Sequence, residues 1–196
     1  MIKTNYLKFK KSLETTGKSY FNQHDLKKFY CYQKNSLKVL LSSWSSKELI
    51  HHLGRGYYAF DLTRLDYLAL ANELDQNSYI SFEYALYYYN LTNQVPTVVT
   101  LATKNRSRVI KIKNWTFEYT HLKDDLHFDY ELRKKIYIAT PEKALADLIY
   151  LMARGQRIAE LDSLEKKKID QKKLQSILKR FPDYVGDQAK RLALCK

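Results

Sequence analysis

The sequence predicts an α+β chain, and three patterns point to it. Leu37, Leu40, Leu41 and Trp44 fall at i, i+3, i+4 and i+7, one apolar stripe on a helix whose other face carries Asn35, Lys38, Ser42 and Ser43. Two apolar runs, Leu49-Ile50-His51-His52-Leu53 and Tyr57-Tyr58-Ala59-Phe60, flank Gly54-Arg55-Gly56, a hairpin turn signal. Between residues 97 and 139, runs rich in Thr, Val, Ile and Tyr alternate with loop residues, and helical patterns lie on both sides. Two short helices followed by a hairpin on a basic segment read as an N-terminal winged helix-turn-helix. The later strands give a C-terminal domain with a small, mainly antiparallel sheet and several helices. The expected division is 1–62 and 63–196.

Residues 4–15 form the first helix, with Tyr6, Leu7 and Leu13 apolar, and Gly17 ends it. Phe21-Asn22-Gln23 opens a second helix, with Leu26, Phe29 and Tyr30 on one side. Tyr32-Gln33-Lys34 is the turn before the third helix, which Ser36 can cap. After the hairpin, Thr63 is the expected cap of a helix running to about Leu74, with Asp66 three residues on and Leu65, Leu68 and Ala69 along one side. Ser81 caps the next helix, whose stripe is Phe82, Ala85, Leu86 and Tyr89, and Asn90 closes it. Strands over 97–103, 108–112 and 116–119 form an antiparallel meander, and 136–139 is a fourth strand. Thr140-Pro141-Glu142 is a helix start: an N-cap threonine, proline at the first helical position, and an acid near the positive helix end. Ala144, Leu145, Leu148, Ile149 and Met152 give that helix a broad apolar face. Residues 160–171 read as a charged connection. Leu174, Ile177, Leu178 and Phe181 define a last amphipathic helix before Pro182, and a short helical tail follows.

Charge is unevenly placed along the 196 residues, whose formal net charge is +13. Residues 1–60 hold eleven Lys and Arg against three acids, a balance of +8, while 61–196 carry only +5. That concentration of cations is what phosphate neutralisation requires. Cys31 and Cys195 stand far apart in sequence with no C-x-x-C pair, which fits a reducing compartment. The first residues contain no long apolar region, so no signal peptide is expected, and no apolar run reaches the length of a membrane span. A cytoplasmic protein without a membrane partner is the expectation.

Two stretches in the second half carry a family resemblance: Ser78-Tyr79-Ile80-Ser81-Phe82-Glu83-Tyr84-Ala85-Leu86 and Tyr137-Ile138-Ala139-Thr140-Pro141-Glu142-Lys143-Ala144-Leu145-Ala146-Asp147-Leu148. With the N-terminal pattern, and with Val95-Pro96 and Thr100 between them, they resemble the AbiEi-type antitoxins of type IV toxin–antitoxin pairs, which are linked to abortive phage infection. The resemblance runs from about residue 5 to residue 155. It implies that the first domain binds inverted repeats in its own promoter and represses the operon, with dimerisation on DNA as one route to two bound copies. It implies that the second domain counteracts a nucleotidyltransferase toxin, with direct contact left open. It implies no catalytic centre and no cofactor. The alternative is a stand-alone transcription regulator whose second domain senses a ligand or partner.

In a winged helix-turn-helix, outward side chains of the second helix meet base edges, while nearby Lys and Arg meet phosphates. The candidates for double-stranded DNA are therefore Lys34, Asn35, Ser36, Lys38, Ser42 and Ser43, with Arg55 at the hairpin tip. His51 and His52 alternate along a strand, so one faces in and one out; His51 joins the candidates. Trp44, Tyr57 and Tyr58 suit either stacking on bases or filling the small core beneath the hairpin. A partner surface in the second domain is drawn from Tyr87, Tyr88, Lys143 and Asp147, although pairing with neighbours inside the fold is the favoured role of Lys143 and Asp147. His121, Asp124, Asp125, His127, Asp129 and Glu131 are rich in ligand types but lack any metal-site spacing, and no phosphate-cradling glycine loop or nucleophile elbow occurs. No metal and no enzymatic activity is expected.

Overall fold

The computed structural model describes residues 2–30 and 34–194, giving the backbone alone for 2–5, 34 and 35, and it divides into two units, Met1–Leu70 and Ala71–Lys196. The chain is α+β: eight α-helices and two sheets, one of three strands and one of six, occur among the described residues. No helix among them is long and apolar enough to cross a membrane. The expected boundary at 62/63 lies eight residues before the division at 70/71.

The first unit runs α1 (Ile2–Thr15), β1 (Tyr20–Asn22), α2 (Gln23–Phe29), α3 (Lys34–Ser46), β2 (His51–Gly54), β3 (Tyr57–Ala59). In α1 the buried positions are Tyr6, Phe9 and Leu13, whereas Leu7, expected on the apolar side, is 59% exposed. Phe21 and Asn22, expected to open a helix, belong to β1, which pairs antiparallel with β3 so that the sheet order is β1-β3-β2. Asn22 then caps α2: its Oδ1 accepts from the backbone N–H of His24 and Asp25, and Asp25 accepts in return from the Asn22 N–H at 3.0 Å. This reciprocal box satisfies orphan donors that a strand running directly into a helix would otherwise leave open.

Ser36 is not a helix cap, because α3 already begins at Lys34. Tyr32 and Gln33 of the expected turn lie outside the described residues, as do Cys31 and Cys195. Leu37, Leu41 and Trp44 of α3 are fully buried with Phe9, Phe21, Leu26 and Ile50. The Trp44 ring stacks on Phe9 and meets Tyr6 edge-on at 5.4 Å, so it is core and not a base platform. The β2–β3 turn places Arg55 and Gly56 both at positive φ (52° and 80°), the signature of a primed hairpin turn.

The division falls in the middle of α4 (Tyr67–Leu74); the second unit takes its C-terminal half and then β4 (Ser78–Ile80), α5 (Phe82–Tyr88), β5 (Val99–Thr103), β6 (Arg108–Ile112), β7 (Trp115–His121), β8 (Tyr130–Arg133), β9 (Ile136–Ala139), α6 (Pro141–Ala153), α7 (Gln171–Leu178) and α8 (Asp183–Arg191). Thr63 does not cap α4; its N–H and hydroxyl turn back to Asp61, and Asp66 accepts from the Ala69 N–H instead. The buried face of α4 is Leu70 and Ala71, not Leu68 and Ala69.

The expected meander is replaced by a mixed sheet in the order β6-β7-β5-β4-β9-β8. β7 inserts between β5 and β6, parallel to β5 and antiparallel to β6, and β4 and β9 are also parallel. Burial accounts for the order: every residue of β5 is buried, so it needs neighbours on both sides, while β6 buries only Ile110 and Ile112 and exposes Val109 and Lys111 as an edge strand does. β8 forms the other edge, with all four residues exposed.

Helices α7 and α8 complete the core: Leu174, Ile177, Val185 and Ala189 are buried, and Phe181 sits 5.7 Å from the Tyr150 ring of α6. Residues beyond 157 are thus an integral part of the second unit.

Candidate functional site

The candidate surface of the first unit is the outer side of α3 with the adjoining hairpin. Ser36, Lys38 and Ser42 are exposed and Ser43 is half-buried; the side chains of Lys34 and Asn35 lie outside the described residues. Lys38 and Ser42, one helical turn apart, line a groove of about 390 Å³ with Gln23, Ser45, His52 and Tyr58. His51 is half-buried and lies outside this group; His52 is the exposed histidine, its ring 4.9 Å from Tyr58. Tyr58 in turn stacks on Phe21, so its ring is half core and half groove wall. Gln23, Ser45 and His52 are not among the contacts expected from sequence, where His51 stands in place of His52, and Tyr58 is there open to either a stacking or a core role. Arg55 stands exposed at the hairpin tip, and neither it nor Lys38 makes an ion pair among the described residues.

In the second unit Lys143 and Asp147 are both 0% exposed, which overturns their placement on a partner surface. Their i, i+4 spacing on α6 puts the ammonium on one carboxylate oxygen, and Ser81 Oγ (2.8 Å) and Tyr79 Oη (3.0 Å) donate to the other. Lys143 also donates to Tyr79 Oη at 2.9 Å, and its ammonium lies 4.9–5.4 Å from the rings of Phe128, Phe181 and Tyr79. Burial pushes the lysine pKa down while Asp147 opposes it, and burial followed by Asp147 pushes Tyr79 well above the usual phenol range. Both carboxylate oxygens accept hydrogen bonds and the ammonium has two acceptors and three ring faces around it, which is the kind of compensation a buried ion pair requires. The two stretches carrying the family resemblance meet here: β4 and the start of α5 from one, α6 from the other. Ser81, at the N-cap of α5, uses its hydroxyl on Asp147 and makes no capping bond. Thr140 likewise gives its hydroxyl to Asp129 at 2.6 Å, and Glu142 is buried, accepting from the Asp170 N–H and lying 3.4 Å from the Lys173 ammonium.

Tyr87 and Tyr88 are half-buried on α5, and Tyr84 beside them is buried. Of the polar run 121–131, Asp129 is held by Thr140 and Lys173, Glu131 pairs with Arg133, and His121 Nδ1 lies within 3.2 Å of the Lys104 and Asn105 carbonyls. Among the described residues no three His, Cys, Asp or Glu side chains are grouped to hold a metal. A second buried carboxylate, missed from sequence, is Asp75: it accepts from Thr103, Asn105 and Arg108 and ties the α4–β4 turn to β5 and β6. Arg157 bridges Glu83 and Glu118 beside a cavity of about 310 Å³ walled by Leu86, Val98, Leu148 and Leu164. No protein-family model matches the chain, and no curated protein matches it.

Proposed function

We propose that the first unit is a winged helix-turn-helix that reads duplex DNA, and that the protein is a DNA-binding antitoxin of the AbiEi type. The carrying observation is the order α1-β1-α2-α3-β2-β3 with sheet order β1-β3-β2, together with an α3 whose polar side is open. In that arrangement α3 enters the major groove: Lys38, Ser42 and Ser45 follow its outward face, with His52 of the wing beside them. Arg55 at the wing tip meets phosphate or the minor groove, and the excess of cations in residues 1–60 supplies the sequence-independent part of the affinity. An inverted-repeat operator takes two copies, one per half-site. The antitoxin assignment, directed at a nucleotidyltransferase toxin, rests on the resemblance of residues 78–86 and 137–148. Lys143, Asp147 and Ser81 are used inside the fold, so this reading does not require that they touch the toxin.

A stand-alone regulator with a ligand-sensing second domain is the other reading, and the 310 Å³ cavity beside Arg157 is what favours it. The test uses the full-length Lys38→Ala/Arg55→Ala double variant. Binding to the duplex upstream of its own gene should weaken strongly, while growth rescue from the co-expressed toxin should persist. Unchanged binding removes the DNA-reading surface; absence of rescue by the wild-type protein favours the stand-alone regulator.

A further inference from the structure

A recess of about 270 Å³ opens on the second unit where the α4–β4 turn, the loop after β5 and β9 converge. It shares no lining residue with the α3 groove of the first unit, and its chemistry is not that of a core defect. Tyr130 and Tyr137 form one wall, 40% and 44% exposed, with ring centroids 6.2 Å apart and nearly perpendicular. Behind Tyr130 lies Tyr79, stacked on it at 4.6 Å and 5° and locked through its hydroxyl to Lys143 and Asp147. The wall is therefore backed by a rigid ring whose own polar atom is fully used. The opposite side carries Gln76, Asn77 and Lys104, all exposed. Lys104 makes no ion pair among the described residues, and the adjoining Asp75 is already taken up by Arg108, Thr103 and Asn105. The recess thus combines aromatic faces, neutral amides that both donate and accept, and one uncompensated cation.

We propose that this recess binds one nucleotide unit, its base against Tyr137 and Tyr130, its edge read by Asn77 and Gln76, and its phosphate on Lys104. Aromatic faces accept any base, side-chain amides match the mixed donors and acceptors of base edges, and a lysine supplies a phosphate contact. The volume of about 270 Å³ lies just below the range of drug-sized ligand pockets, roughly 300–1,000 Å³, so the open recess has room for one nucleotide unit and not for a dinucleotide cofactor. The same chemistry is presented by a free mononucleotide and by the phosphorylated end of a single strand.

Titration calorimetry on the full-length protein with the four nucleoside 5′-monophosphates, the matching nucleosides, inorganic phosphate and a 5′-phosphorylated single-stranded tetranucleotide tests this. At least one monophosphate or the tetranucleotide should bind saturably, with the nucleoside and phosphate alone each weaker. Preference for the tetranucleotide assigns a strand end; equal or better binding of the monophosphate assigns the free nucleotide. Lys104→Ala and Tyr137→Ala alter exposed side chains, so both variants should fold, and each should lose about tenfold in affinity. No saturable binding up to roughly 1 mM overturns the proposal. So does binding that survives both substitutions but disappears in Lys38→Ala/Arg55→Ala, since the ligand would then be held by the DNA-reading face.

Discussion

Lys143 is the residue on which the second unit turns. A fully buried ammonium is tolerated only because Asp147, Tyr79 and three ring faces surround it, and Asp147 is tolerated only because three donors converge on it. Removing one partner leaves the other charged, buried and uncompensated. Lys143→Met should therefore cost about 3–5 kcal/mol, read as a drop in the denaturant midpoint at unchanged slope. Lys143→Met combined with Asp147→Leu should recover much of that loss; a double variant as unstable as the single one contradicts this account. His127, edge-on to Tyr79, gives a pH signature. Burial lowers its pKa in the fold below the usual histidine value, so the unfolded chain binds the proton more readily. Its contribution is present above about pH 6.5 and is lost as the pH falls through the lower, folded pKa. The stability of the wild type relative to His127→Gln should accordingly decline on acidification below about pH 6.5, and a difference that stays flat with pH rules the histidine out as the cause.

At the scale of elements, caps and edges decide what periodicity alone leaves open. α2 has only seven residues and one fully buried side chain, Leu26, so its start depends on the Asn22–Asp25 box. Asn22→Ala should cost about 1 kcal/mol, measured by thermal or denaturant unfolding, and Asn22→Asp should restore most of it. Elements with a strong local signal were legible in the sequence: the α3 stripe, the Gly54-Arg55-Gly56 turn, strands β6 and β9, and the Pro141 helix start all lie where their residues put them. The elements that were missed lack such a signal. β1 is three residues long and exists because β3 offers it an edge, and β8 exposes all four residues, so neither shows an alternation to read. Strand order was equally hidden, because β5 parallel to β7 is set by burial on both sides of β5 rather than by the loops between strands. The outward residues of α3 could be read directly, whereas His52 and Gln23 beside them could not, since their place depends on tertiary pairing. Lys143 and Asp147 showed their pairing in the i, i+4 spacing, but their burial follows from Tyr79 and Ser81 more than sixty residues away.

At the scale of the whole molecule, cations are concentrated in the first sixty residues, and the pairing of individual cations sets which of them can respond to salt. In residues 1–60 the cations outnumber acids by eleven to three, and Lys38 and Arg55 stand without ion-pair partners among the described residues. In the second unit Arg108, Arg157 and Lys143 are paired with carboxylates and stabilise the fold. Only unpaired cations release counterions on meeting DNA, so salt dependence separates the two groups. If Lys38 and Arg55 each neutralise one phosphate, the slope of log affinity against log salt should become shallower by about 0.9 per residue, close to 2 for the double alanine variant. Lys38→Gln and Arg55→Gln, which remove charge but keep length, should flatten the slope as the alanines do. A slope that stays the same while affinity falls would mean that these side chains read base edges alone. A slope that flattens equally with operator and with unrelated duplex would assign both residues to positioning on the backbone. Recognition would then rest on Ser42, Ser45 and His52, each of whose alanine variants should narrow the gap between operator and unrelated DNA without changing the slope.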